Sequence, residues 1–180
     1  SFFIYFYNFA ICGVGVLKIS QFTVTTYSIP FVKPLQTSEK TYIHREGVWL
    51  QLQWEDNTGV GEAAPLEGFS QENVKEVQYA LEGFHQAIDG VSFDSDDLLS
   101  LVNIHTEGIP SARFALEMAV FDLLAQEEKK PLAIYLNPHA PTEIAVNGIS
   151  GIHMPGDGFK VIKVKVGFRN LFDEIEHLVM

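Results

Sequence analysis

The sequence predicts an α+β protein: a small antiparallel sheet, then a pack of helices, then the opening strands of a parallel α/β barrel. Three observations carry this. Val48, Leu50, Leu52 and Trp54 alternate with polar neighbours, as a strand with one buried face requires, and turn residues follow at once. Between residues 70 and 126 the apolar positions step by three or four, the helical period. After Pro131 the rhythm becomes strand, connection, strand, helix, and the second of these strands carries two lysines.

Ile19 to Ile29 reads as a first strand, rich in Thr, Val, Phe and Tyr. Residues 30–46, long and polar with two prolines, read as a loop that is mobile or functional. After the strand from Val48 to Trp54, Glu55-Asp-Asn-Thr-Gly59 is turn chemistry, and Val60 to Ala63 returns antiparallel. Ser70 is placed as the cap of a helix with Glu72 in its first turn and an apolar stripe of Val74, Val77, Leu81, Phe84 and Ile88. Ser95 caps a second helix through Leu98, Leu99 and Val102. Pro110 opens a third, Ser111 to Gln126, so apolar that it must be buried on most sides, and its Arg113, Glu117 and Asp122 then need partners within the fold. Glu143 to Gly148 is a short strand, 155–158 a turn, and Phe172 to Val179 the start of a helix.

Val161-Ile-Lys-Val-Lys-Val-Gly167 is the most informative segment for function. Alternation along a strand puts Lys163 and Lys165 on one face and Ile162, Val164 and Val166 on the other. Two ammonium groups that close repel each other, which favours the neutral amine of one, and a neutral lysine is a competent general base near neutral pH. Two solvated lysines on a half-exposed strand fit the same pattern. At the carboxyl end of a barrel strand, where catalytic groups collect, Lys165 takes on more weight.

Composition narrows the classes. The 180 residues are 47% hydrophobic and 19% charged, a globular composition that fits one or two domains. With 12 basic against 23 acidic residues, a net charge of -11 and no basic block, nucleic acid is not an expected partner. One cysteine, Cys12, excludes an intrachain disulfide and points to a reducing, cytoplasmic compartment. The six histidines match no zinc spacing, and no phosphate loop or nucleophile elbow is present. Residues 1–16 form an uncharged aromatic run, shorter than the roughly 20 residues a spanning helix needs. They are read as an extension outside the fold, and a membrane is not the expected partner. Both ends look cut, since the chain opens on Ser1 and stops at Met180 where a helix is beginning, so a fragment is expected.

The order of sheet, helical pack and Lys-x-Lys strand resembles the enolase superfamily. Within it, Gly61-Glu-Ala-Ala-Pro-Leu-Glu-Gly-Phe-Ser-Gln-Glu72 is similar to the o-succinylbenzoate synthase segment Gly-Glu-x-x-Pro-Leu-Pro-Gly-Phe-Ser-x-Glu, and Asn147-Gly148 and Lys163 to Gly167 match that family too. Glu67 departs from it by replacing a proline, which softens the loop. The resemblance covers Leu17 to Met180. It implies an α+β enolase-type N-terminal capping domain over 17–135, followed over 136–180 by the start of an incomplete (β/α) TIM-like barrel.

It further implies a lyase of menaquinone biosynthesis, dehydrating a cyclohexadiene carboxylate to 2-succinylbenzoate. Lys165 would be the base that removes the proton alpha to the carboxylate, with Lys163 as its electrostatic partner. Arg45, Gly68, Phe69, Ser70 and Asn147 would contact this small carboxylate substrate, and the segments 30–45 and 64–70 would close over it to exclude water. Mg2+ is the implied cofactor, with acidic ligands and a second lysine expected beyond residue 180, so the chain by itself should be inactive. The sequence carries no signal for an oligomeric state. Two other readings stay open: an N-acylamino acid racemase or dipeptide epimerase of the same superfamily, and a noncatalytic binding or membrane-tethered module.

Overall fold

The computed structural model describes residues 16–37, 40–149, 158–164, 166 and 170–179. They divide into two compact units, one up to Pro138 and one from His139. In the first, β1 (Gln21–Gln36), β2 (Thr41–Trp54) and β3 (Asn57–Ala63) form an antiparallel sheet in that order. They are followed by α1 (Val74–Ile88), α2 (Ser95–His105), α3 (Pro110–Glu127) and the single turn α4 (Leu132–Leu136).

The alternation along β2 does what the pleat requires, sending Leu50 and Leu52 inward at 0% exposure with Val48 and Trp54 beside them. Val77, Leu81, Phe84 and Ile88 of α1, Leu98 and Val102 of α2 and most of α3 complete one core with that face. Burying a side chain the size of Phe84 or Leu50 in this way is worth about 1.5–3 kcal/mol. The chain enters through Leu17, itself buried, which exchanges backbone hydrogen bonds with Phe93 at 2.7 and 2.8 Å. Of the 1–16 extension only Val16 is among the described residues, and it is exposed.

Several expectations change. Residues 30–36 and 41–46 are strand rather than loop: β1 and β2 run on as paired arms, Pro30 opposite His44 and Leu35 opposite Tyr42, with an irregularity between Pro30 and Leu35. Both prolines are tolerated because β1 is an edge strand, where a missing N–H can face solvent. The cap of α1 is Asn73, not Ser70. Its side chain accepts from Lys75 N and Glu76 N while Glu76 reaches back to Asn73 N, a complete capping box. Glu72 therefore lies before the helix. Asp94, not Ser95, caps α2 by accepting from Asp97 N at 2.8 Å.

The chain turns from β2 to β3 over two residues, Trp54 pairing with Asn57, so β3 begins earlier than the turn chemistry implied. α3 lies against β3 at very close range. Gly59 and Gly61 share one face of the strand, and a Cβ on Gly61 would stand 2.7 Å from the carbonyl carbon of Ala115. Glycine on the strand and alanine on the helix are what let the two backbones approach. α3 also satisfies the free edge of β3: Asp122 Oδ2 accepts from Val60 N, and Gln126 exchanges hydrogen bonds with Thr58 N and O. Asp122 thus finds its partner in the fold, as Arg113 and Glu117 do in each other at 2.7 Å. Phe114 departs from the expected burial of this helix and is 57% exposed.

In the second unit, β4 (Gly148–Ile149) pairs in parallel with β5 (Ile162–Lys163), and α5 (Leu171–Val179) follows. Gly148 N donates to Val161 O at 3.0 Å. Gly148 is buried, and a Cβ there would meet Ile162 at 2.7 Å and Phe159 at 3.0 Å.

Candidate functional site

In the first unit the loop 64–70 leaves β3 and crosses the near half of β2. Arg45 holds its entry, Nη1 donating to Pro65 O at 2.9 Å and Nη2 to Ala64 O. The Tyr42 hydroxyl donates to Glu67 O, and Lys40 pairs with the Glu67 carboxylate. That ion pair is exposed on both sides and contributes little by itself. Tyr42 is buried, so its hydrogen bond is better shielded. Beyond this point the loop closes on itself: Phe69 N and Ser70 N donate to Leu66 O, and Ser70 Oγ accepts from Leu66 N at 2.9 Å. Gly68 makes the turn possible with φ 86°, a conformation that costs a side chain dearly. What the turn presents is Phe69, 70% exposed.

Two clefts flank the loop and share Glu46, Pro65 and Glu67 in their walls. One, of about 240 Å³, runs along Lys40 to Glu46. The other, of about 510 Å³, continues past Gly68 and Ser70 to Asn73 and Lys75, and has the size of a small-molecule pocket. Beside them on the sheet the Tyr27 hydroxyl donates to the Glu62 carboxylate. Burial and that hydrogen bond push the Tyr27 phenol up to about 12, with the Glu62 charge acting the same way and Arg45 opposing it.

The structure brings Arg45, Gly68, Phe69 and Ser70 together. Arg45 serves the loop's carbonyls. Ser70, expected as a helix cap, has its hydroxyl engaged inside the turn. Asn147 and Lys163 belong to the second unit. Both are exposed, and they lie near each other, since Gly148, next to Asn147, pairs with Ile162, next to Lys163. Lys165 and Gly167 lie outside the described residues. Among the described residues no group of three His, Cys, Asp or Glu could hold a metal ion, so they do not fit a magnesium site.

Sequence reasoning missed Tyr42. Its even-numbered position continues the inward series of Val48, Leu50, Leu52 and Trp54, but His44 and Glu46 interrupt the apolar pattern. It also missed the place of Glu72, whose Oε1 accepts from Ser111 N at 2.9 Å and from Ser111 Oγ. No local pattern announces a contact between those residues.

Residues 19–123 match the family described as MenC, N-terminal domain. The chain belongs to that family. The o-succinylbenzoate synthase of Klebsiella pneumoniae (strain 342) is 30% identical over 154 residues, 84% of this chain and 42% of that protein. The chain thus spans less than half the length of this curated relative. Among solved structures, the L-Ala-D/L-Glu epimerase of Bacillus subtilis superposes with a TM-score of 0.75 at 23% identity, over 90% of this chain and 49% of that one. The Methylococcus capsulatus dipeptide epimerase, complexed with Mg and the dipeptide L-Arg-D-Lys, gives 0.73 at 24% identity over the same shares. At such identities the likeness speaks for the fold alone. Sheet followed by helices is the enolase-type capping architecture that these solved structures share with the chain.

Proposed function

We propose that this chain is the capping portion, with the first barrel strands, of an o-succinylbenzoate synthase. Residues 17–135 would form the cap and 136–180 the opening of the barrel. One observation carries the reading: a MenC N-terminal sequence whose Gly68-Phe69-Ser70 turn is pinned at the edge of an open cleft with its aromatic ring exposed. That is the arrangement needed by a cap that closes over a small substrate.

The substrate would be 2-succinyl-6-hydroxy-2,4-cyclohexadiene-1-carboxylate. The neutral amine of Lys165 takes the proton alpha to the carboxylate, and the electrons of that C–H bond pass into an enediolate. As they return, the C–O bond breaks and the hydroxyl leaves as water with the proton given back by the Lys165 ammonium, so that the ring becomes aromatic. Lys163, two residues earlier in the sequence, would keep Lys165 from holding its proton. Phe69 and Gly68 would cover the ring and shut out water, with Arg45 acting on the substrate through the loop it fastens. Mg2+ is part of the reading by resemblance, and a magnesium complex is described for the Methylococcus relative. When bound it would take ligands other than a cluster among the described residues and would stabilise the negative charge of the enediolate. The reading also takes the enzyme to be cytoplasmic. No helix among the described residues is long and apolar enough to cross a membrane.

The test is turnover by the protein expressed from its natural reading frame, with magnesium present and product followed by its aromatic absorbance. Dehydration should be observed, and Lys165→Ala should lower it by about a hundredfold to ten-thousandfold. A second reading, dipeptide epimerisation or N-acylamino acid racemisation, draws on the fold shared with the epimerases. Racemisation without dehydration would select it. Near-normal turnover by Lys165→Ala would remove the lysine mechanism.

A further inference from the structure

The loop 64–70 is fastened to the sheet at its start, while its end runs into Glu72, whose side chain the proposed mechanism does not use. Glu72 is 6% exposed, an unusual place for a carboxylate. It accepts from Ser111 N and Ser111 Oγ with one oxygen, and its Oε2 has no hydrogen-bond partner. The receiving end is the first turn of α3, which lacks a cap of its own: Ile109 offers no side-chain acceptor, and Pro110 occupies the first turn. A helix N-terminus carries free N–H groups and partial positive charge, so a carboxylate brought from elsewhere in the chain meets a matching need.

We propose that Glu72 is a positioning residue that fixes the Gly68-Phe69-Ser70 turn by anchoring its end to the first turn of α3. The proposal deepens the reading given above and rests on it for what the turn does. α3 is a suitable anchor because its backbone is seated directly on β3 at Gly59 and Gly61. Arg45 and Tyr42 hold the other end of the loop to β2. The loop is thus strung between two rigid elements, and Phe69 stands between its two attachments. Burial works against the charge of Glu72, yet the hydrogen bonds from Ser111 and from the neighbouring backbone outweigh it and hold the carboxyl below the ordinary glutamate range.

Amide hydrogen exchange and steady-state kinetics on the natural protein test this with three variants: Glu72→Ala, Glu72→Gln and Ser111→Ala. Glu72→Ala should speed exchange across 66–72 by about tenfold, the worth of one charge-assisted hydrogen bond, while β2 keeps its protection. KM for the dehydration should rise by a similar factor with kcat little changed, since the base lies elsewhere. Glu72→Gln keeps an acceptor for Ser111 and should recover most of both effects, and Ser111→Ala, the milder lesion, should show a fraction of them. Unchanged exchange over 66–72 would overturn the proposal, as would a uniform loss of protection across loop and sheet. Should the parent protein dehydrate nothing, the proposed function fails while the exchange measurement still decides whether Glu72 anchors the loop.

Discussion

Gly61→Ala probes the seat of α3 on the sheet, on which both the loop and its anchor depend. The added Cβ would lie 2.7 Å from the carbonyl carbon of Ala115 and 3.0 Å from its Cα, and nearer still to the carbonyl oxygen. Ordinary contact begins at 3.4 Å and the carbonyl oxygen is the limiting atom, so α3 would have to retreat by well over the roughly 0.7 Å that the carbonyl carbon alone demands. The obstacle is helix backbone rather than the end of a flexible side chain, so nothing can rotate aside. Overpacking costs about 1–3 kcal/mol where neighbours can adjust, and the unyielding backbone puts this substitution at the upper end, about 3 kcal/mol. Retreat would also stretch the hydrogen bonds from Val60 N to Asp122 and between Thr58 and Gln126, which follow on the same helix face. A loss of that size lowers Tm by roughly 6–12 °C. Gly83→Ala is the control. It sits in α1, where the new methyl meets only His105 Nδ1 at 3.4 Å, and exchanging glycine for alanine inside a helix should stabilise by up to about 1 kcal/mol. Urea and thermal unfolding of both variants give the answer. If Gly61→Ala matched the parent to within about 0.5 kcal/mol, the close backbone seat of α3 would be wrong.

Arg45→Ala removes two hydrogen bonds to Ala64 and Pro65 carbonyls; it should destabilise by about 1–3 kcal/mol, raise KM and speed exchange at Ala64 and Leu66, and protection equal to the parent's there would contradict the clamp. Tyr27 has its folded pKa raised to about 12 from 10.0, so its contribution is complete below pH 10 and is lost as pH climbs through about 12. Thermal stability of the parent should therefore fall faster than that of Tyr27→Phe between pH 10 and 12, and parallel curves would refute it. Glu72 has the opposite sign: with its folded pKa depressed, its contribution is complete above the ordinary glutamate pKa and disappears as pH falls through the lower folded value. Glu72→Gln should flatten that acid limb in a pH series of Tm values, and an unaltered limb would count against the hydrogen bonds to Ser111. Lys163→Ala leaves the proposed base in place with a higher pKa, so its turnover should recover partly toward alkaline pH, whereas a deficit constant across pH would assign Lys163 another task.

What could be read from the sequence was whatever a short window contains. The inward face of β2 is written in Val48, Leu50, Leu52 and Trp54, and the stripe of α1 in Val77, Leu81, Phe84 and Ile88, because burial of each depends on its own position in a period. The near arm of the hairpin was hidden by Pro30 and Pro34, which end strands in a sheet interior but not on an edge, and whether a strand is an edge is decided by partners far along the chain. Caps were legible as a class and not as residues. Ser70, Asn73, Ser95 and Asp94 are all competent, and the choice fell to Asn73 because Ser70 was already used within its own turn and Glu76 completed the box. Glycine shows the same limit more sharply. Gly59 and Gly61 look like turn or strand breakers, yet they mark the line along which a helix more than 50 residues later lies down. The candidate site is built from the same long-range choices. Its motif from Ala64 to Glu72 is visible as a string, but the work of holding it falls to Tyr42, Arg45 and Ser111, none of which belongs to the motif. Binding precision in such a loop depends on its attachments, so substitutions at those three positions should alter substrate affinity while every residue of the motif is kept.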